Sequence, residues 1–383
     1  MTPKLFPVGK PVPSEDIVDR DEFIVRLVMR LPEGQSVMLA GPRRIGKTSL
    51  ALEVLQRLKN KGFYTVVVDL FRVGGKKDLA EAIVKGCFAN RTGTRALLAY
   101  FTVGAKRLVS SVKLSVELED FRVEFGLPHL TEDEDEILKH ALELPEKLAL
   151  HDGKKLVILF DEFQEASSIA GPGIYKLMRA YFQAQQHTTY FFLGSQASIM
   201  RELFGSRKHA LYRFAQTLAI PPVPKEAWVS YIADKFASRD IQTEETLLER
   251  IVDLTGGHPQ DIMLLCSEVY YVLLDAAKST VTRGAVDVAY QRTFEMLTPL
   301  FSEMWVEAGA KKRAREILFS LAEENKPYLG LHPNEAKRTL DWLVKQGFIE
   351  NVAEVNMCLQ NQCLQPGSLS IINLQQRVAG DFL

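Results

Sequence analysis

The sequence predicts an α/β protein built on a parallel β-sheet, and three observations carry that reading. The run Ser36-Val37-Met38-Leu39-Ala40 is largely apolar and leads directly into Gly41-Pro42-Arg43-Arg44-Ile45-Gly46-Lys47-Thr48. Phe63 to Leu70 is rich in β-branched and aromatic residues, and it follows a stretch with Leu50, Leu52, Val54, Leu55 and Leu58 at helical spacing. Leu156 to Phe160 is apolar throughout and stops abruptly in Asp161-Glu162. Continuous apolar strands alternating with helices are covered on both faces, as the strands of a parallel sheet are.

The glycine-bearing segment fits G-x-x-x-x-G-K-[ST], and it stands between a strand and a helix, the context in which that spacing binds phosphate. Gly41 and Gly46 permit torsions that side chains resist. Successive N–H groups then turn inward around phosphate oxygens, and the helix starting near Lys47 adds the positive end of its dipole. The expected cofactor-binding residues are Gly41, Pro42, Arg43, Arg44, Ile45, Gly46, Lys47, Thr48 and Ser49. Lys47 is expected to neutralise β- and γ-phosphates, and the Thr48 hydroxyl to ligate Mg²⁺.

Asp161 and Glu162 end a strand on the edge where parallel sheets bind ligands. Adjacent carboxylates there repel one another unless a cation is shared, so Asp161 is expected to hold Mg²⁺ through its water shell and Glu162 to orient and deprotonate the attacking water. Tyr190-Phe191-Phe192-Leu193-Gly194-Ser195-Gln196 repeats the pattern of an apolar strand ending in small and polar residues. Ser195 or Gln196 is a candidate γ-phosphate contact. Arg201 or Arg213, with Arg213 preferred, is a candidate to sense the nucleotide state or to act across a subunit boundary.

The remaining segments set the domains. Residues 1–16 form a Pro-rich lead-in expected to lie over the surface. Asp19 reads as the N-cap of a helix carrying Glu22, Leu27, Val28 and Leu31. Alternating runs flanking Glu119-Asp120 predict a hairpin near 109–126 inserted into the core. The acidic stretch Thr131–Glu136 reads as a helix start, Gly173–His187 as an amphipathic helix, and Leu218–Ile220 as a last short strand. Residues 223–300 read as all-helical, with helices over 226–239, 244–255, 260–274 and 283–297. Gly256-Gly257-His258-Pro259 there is a helix stop followed by a start. Helices over 311–324 and 335–345, then Gly347-Phe348-Ile349, outline a winged-helix-like module within 301–350. Residues 351–383 form a tail of unassigned structure. The expected division is a core over 1–222, a lid, the winged-helix-like module and the tail.

Composition narrows the partners. A net charge of −1 over 383 residues gives no global pull toward nucleic acid or an anionic membrane. Residues 311–350 hold 8 basic and 6 acidic side chains, too even a balance to single out DNA. No run reaches the roughly 20 apolar residues of a membrane span. The scattered Cys87, Cys266, Cys358 and Cys363 fit reduced thiols in a cytoplasmic protein.

Taken in order, Arg20-Asp21-Glu22-Phe23, the phosphate loop, Asp161-Glu162-Phe163-Gln164-Glu165, Gly194-Ser195, Leu211-Tyr212-Arg213 and Gly256-Gly257-His258-Pro259 resemble the archaeal-type ATPase family. That family belongs to the STAND branch of AAA+-like P-loop NTPases, kin to origin-recognition ATPases. The resemblance implies an ASCE-type parallel sheet followed by a helical lid and a C-terminal winged-helix domain. It places Arg20 and Glu22 near the nucleotide base, Ser195 at the sensor position, and Pro259 against adenine from the lid. The expected function is an ATP-binding and ATP-hydrolysing switch. The nucleotide is held between core and lid to control a protein partner or self-association. An ATPase that gates DNA binding by its winged helix is the alternative, and a small-molecule kinase a weaker third.

Overall fold

The computed structural model of the chain describes residues 4–41, 44–90, 133–322, 330–346 and 348–349. The hairpin expected near 109–126, the loop residues Pro42 and Arg43, and the tail 351–383 lie outside the described residues. Two compact units emerge. One comprises Met1–Arg20, Pro42–Gly46 and Pro221–Leu383, the other Asp21–Gly41 and Lys47–Ile220.

The second unit is the sheet. Its strands are β1 (Val37–Ala40), β2 (Tyr64–Asp69), β3 (Leu156–Asp161), β4 (Thr188–Gly194) and β5 (Gln216–Leu218). They lie in the order β2-β3-β4-β1-β5, every pair parallel. All of β4 and all but the last residue of β3 are buried, as expected of strands covered on both faces. The helices of this unit are α1 (Asp21–Arg30), α2 (Lys47–Asn60), α3 (Lys76–Phe88), α4 (Glu134–His151), α5 (Ala166–Ala170), α6 (Ile174–Ala184) and α7 (Ala197–Gly205).

Local chemistry sets several of these boundaries. Asp133 caps α4 by accepting the N–H groups of Asp135 and Glu136 at 2.9 and 3.3 Å, and the acidic first turn suits the helix dipole. Asp19 does not cap α1. It sits at φ 51° while the helix starts at Asp21, which leaves Arg20 at the cap position. β5 ends two residues before the expected Ile220, because Pro221 and Pro222 have no N–H to give a ladder.

An aromatic tower underlies the ends of β3 and β4. Phe182 and Tyr190 stack with ring centroids 3.7 Å apart, and Phe163 meets Phe192 at 4.6 Å. Phe160 stacks on Phe182, Tyr190 and Phe192. Full burial of such a side chain contributes roughly 1.5–3 kcal/mol, so the strand ends rest on a stiff base.

The first unit is helical, with α8 (Lys225–Ala237), α9 (Glu245–Thr255), α10 (Pro259–Asp275), α11 (Arg283–Ala308), α12 (Ala314–Ala322) and α13 (Pro333–Gln346). The N-terminal lead-in belongs here, not to a core running over 1–222. Phe6 is buried, its ring 5.1 Å from that of Phe236 and 6.5 Å from that of Tyr231. The buried Asp16 carboxylate accepts the Tyr231 hydroxyl at 2.6 Å and pairs with Lys235. Burial and that carboxylate together push the Tyr231 phenol well above its ordinary range.

Helix α11 continues through Pro299 to Ala308, so the boundary expected at 300 falls inside a helix. Phe301 and Ala308 are buried beyond the proline, and packing holds the helical path that the missing N–H weakens. Ala308, Ile317, Leu321, Leu340, Leu343, Phe348 and Ile349 then close a small separate core. Among the described residues of 301–349, two helices and this core are what the structure contains of the expected module.

Candidate active site at the ends of strands β1, β3 and β4

Parallel strands end on one edge of a sheet, and β4 separates β1 from β3. The ends of these three strands therefore bring the phosphate loop, Ser195 and the acidic pair to one edge. In register, Ala40 lies beside Gly194, and Asp69 of β2 lies beside Asp161.

Of the two loop glycines, Gly46 has a left-handed torsion, φ 90°, so a side chain there would be strained; the other left-handed residue of the loop is Arg44, at φ 71°. Lys47 opens α2 and is buried, and its Nζ donates to the Gly41 carbonyl at 2.6 Å. Ser49 is also buried, Ile45 is half-buried, and Arg44 is exposed.

Thr48 Oγ1 donates to Asp161 Oδ2 at 2.9 Å. This contact joins the first turn of α2 to the end of β3. A hydroxyl and a carboxylate are the hard oxygen donors Mg²⁺ prefers, so the residues present fit that ion. Burial pushes the Asp161 carboxyl above its ordinary range, with the nearby charges of Glu162 and Asp69 adding, while hydrogen bonds from Thr48 and the Glu162 N–H oppose. A cation would relieve that penalty. Sequence reasoning assigns Asp69 no role. The register of adjacent strand ends is the signal that places its charge here.

Glu162 sits at φ 50°, ψ 46°. A left-handed non-glycine residue is strained by about 1–3 kcal/mol and marks places where surrounding contacts fix the backbone. Here the fixing contacts are the Glu162 N–H on Asp161 Oδ1 at 2.9 Å, and the side-chain Oε2, which accepts the Ser195 N–H at 3.1 Å and the Ser195 hydroxyl at 2.6 Å. Gln164 Nε2 donates to the same oxygen. Burial alone pushes the Glu162 carboxyl up, but the Ser195 and Gln164 hydrogen bonds, with the Lys47 charge, outweigh it and hold the group below its ordinary range. Glu162 is thus kept ionised while Asp161 beside it is made costly to ionise. Environments that divide two neighbouring carboxylates in this way commonly divide their roles.

Lys47, Thr48, Asp161, Glu162 and Ser195 thus lie at one edge. The other expected residues stand as follows. Arg213 is exposed at φ 53°, its N–H on the Phe204 carbonyl at 2.9 Å and its guanidinium 5.4 Å over the Tyr212 ring. Arg20 belongs to the helical unit; it is buried, its Nη1 has no hydrogen-bond partner among the described residues, and burial lowers its pKa. Pro259 is the first residue of α10 in the same unit and is half-buried. Among the described residues no helix is long and apolar enough to cross a membrane.

Comparison with known proteins follows this geometry. Residues 17–265 match the family described as the ATPase domain predominantly from Archaea. Among solved structures, the Walker-type ATPase of Pyrococcus abyssi superposes with TM-score 0.65 at 16% identity, covering 97% of this chain and 99% of that one. The ORC2 protein of Aeropyrum pernix, solved with ADPNP and ADP, gives TM-score 0.56 at 14% identity over 99% of this chain and 98% of that one. Cdc6p of Pyrobaculum aerophilum gives 0.51 at 13% identity, with the same coverages of 99% and 98%. At these identities the likeness is one of fold. No curated protein matches the chain in sequence.

Proposed function

The chain belongs to the family of ATPase domains found predominantly in Archaea, and from that premise we propose that it is an ATP-driven switch controlling a protein partner. Its core binds ATP with Mg²⁺ and hydrolyses it slowly or under the partner's stimulation. The observation that carries the site assignment is the 2.9 Å hydrogen bond from Thr48 to Asp161, which ties phosphate loop to acidic strand.

Each residue then has a task. Lys47 exchanges the Gly41 carbonyl for β- and γ-phosphate oxygens. Thr48 and Asp161 hold the magnesium ion, which supplies charge neutralisation for the transferring phosphoryl group. Glu162 orients the attacking water and takes its proton as the phosphoryl group transfers. Ser195 follows the strand between loop and acid and donates both its N–H and its hydroxyl to Glu162, through which it reports on the γ-phosphate. A ligand shifts an equilibrium only by its unequal affinity for two states. Loss of the γ-phosphate contacts on hydrolysis supplies that inequality.

Hydrolysis by Lys47→Ala and Glu162→Gln variants tests the assignment. Both are expected to lose turnover, and Glu162→Gln is expected to keep ATP binding because the phosphate cradle is intact. Wild-type turnover in both would overturn it. Glu162→Gln held in ATP is also expected to retain the protein partner on affinity capture from native cells. Salt-dependent retention on duplex DNA would move the reading to an ATP-gated DNA binder.

A further inference from the structure

Gln164 lies in the single 3-10 turn Phe163–Glu165 that follows Glu162, and it is only 7% exposed. The roles assigned above do not use it. Its Nε2 donates to Glu162 Oε2 and reaches Ser195 Oγ at 3.4 Å. With the two Ser195 donors, three hydrogen bonds converge on that one carboxylate oxygen. Among the described residues, none donates a hydrogen bond to the other oxygen, Oε1. The carboxylate is gripped by one oxygen and presents the second.

Chemistry fixes the direction of the amide. An ionised carboxylate only accepts, so the NH₂ end must face it. Gln164 Oε1 is then left buried without a hydrogen-bond partner among the described residues. An orphaned buried acceptor is costly, and a leucine or methionine of similar size would occupy the space without one. Gly194 makes the room, since a Cβ there would stand 2.7 Å from that oxygen. The Tyr175 hydroxyl donates to the Gln164 carbonyl at 3.1 Å and pins the turn from behind.

We propose that Gln164 is a positioning residue for ATP hydrolysis: with Ser195 it clamps Glu162 Oε2, so that Oε1 alone meets the attacking water. The inference rests on the reading of Glu162 as the water-orienting base. A glutamate side chain has three torsions, and a clamp on one oxygen removes the rotamers that carry the other away from the reaction line.

Single-turnover hydrolysis at saturating ATP, with nucleotide affinity and melting temperature measured alongside, tests it in Gln164→Leu and Gln164→Met. A hydrogen bond to an ionised group corresponds to a rate loss of about tenfold to hundredfold. That loss is expected in both variants, with ATP affinity unchanged. The bond to Glu162 and the orphaned acceptor go together and offset each other, so melting temperature is expected to hold. Wild-type rates in either folded variant overturn the inference. So does a parallel fall of rate and melting temperature in both, which marks a structural role. Glu162→Gln separates the two levels: if it hydrolyses at the wild-type rate the base assignment fails, whereas an inactive Glu162→Gln beside a fully active Gln164→Leu refutes the clamp alone.

Discussion

Gly194→Ala perturbs the site without touching a group that bonds to nucleotide. The added Cβ would stand 2.4 Å from Met200 Cγ, 2.6 Å from its Sδ and 2.7 Å from Gln164 Oε1, where ordinary contact begins at 3.4 Å. Met200 must retreat by about 1 Å and the Gln164 amide by somewhat less, both within a packed layer. Overpacking of this kind costs about 1–3 kcal/mol. For a unit of this size that corresponds to a fall of about 2–12 °C in melting temperature. The amide moves as a rigid plane, so its retreat lengthens the bond from Nε2 to Glu162. A bond to a charged group contributes about 1.5–3 kcal/mol, and its loss lowers hydrolysis by about tenfold or more. Thermal melts and single-turnover hydrolysis read the two effects separately. Unchanged melting and unchanged rate together would refute the packing argument, because they would mean that the strand end has space it does not show.

Two further outcomes follow from the electrostatics. Asp161→Asn is expected to raise the melting temperature of nucleotide-free protein while abolishing Mg²⁺-dependent hydrolysis. The introduced amide's oxygen keeps the Glu162 N–H, and the Thr48 hydroxyl turns to accept from the amide's NH₂. Because burial raises the folded pKa of Asp161, its ionised form weighs against folding above the unfolded carboxylate range. The gain from the asparagine should therefore shrink as pH falls through the raised value, and a gain independent of pH in melting scans would contradict the cause given. Arg20→Met removes a buried guanidinium whose Nη1 has no hydrogen-bond partner among the described residues. Stability without nucleotide is expected to hold or rise, and ATP affinity to fall by about tenfold if Arg20 serves the nucleotide. A loss of stability with intact affinity would assign Arg20 a purely structural place.

The parts of the fold legible in the sequence are those with a local signature. The apolar strands, the helical spacing after Lys47 and the glycine spacing of the loop are fixed by short-range torsion and burial preferences. So is the stop of β3 at Asp161. What the sequence hides is non-local. Nothing in the chain order says that β4 lies between β1 and β3, yet that order sets Ser195 between loop and acid. Leu5 and Phe6 read as part of a surface lead-in because prolines break their pattern, while their burial depends on α8, more than 200 residues away. The helix read over 283–297 runs on through Pro299, where the contacts of Phe301 override the proline. The left-handed torsion of Glu162 has no signature in a sequence that puts a glutamate there. Gln164 is visible in the sequence only as one letter of a string; its amide acquires a task when the 3-10 turn aims it back at the carboxylate.

The most direct measurement is the structure of the protein with magnesium and a non-hydrolysable ATP analogue. Lys47 Nζ is expected to have left the Gly41 carbonyl for phosphate oxygen, with the metal beside Thr48 Oγ1 and Asp161 and a water facing Glu162 Oε1. A nucleotide bound elsewhere while Lys47 still holds the Gly41 carbonyl, or a magnesium ion remote from Asp161, would contradict the assignment of a triphosphate to these strand ends.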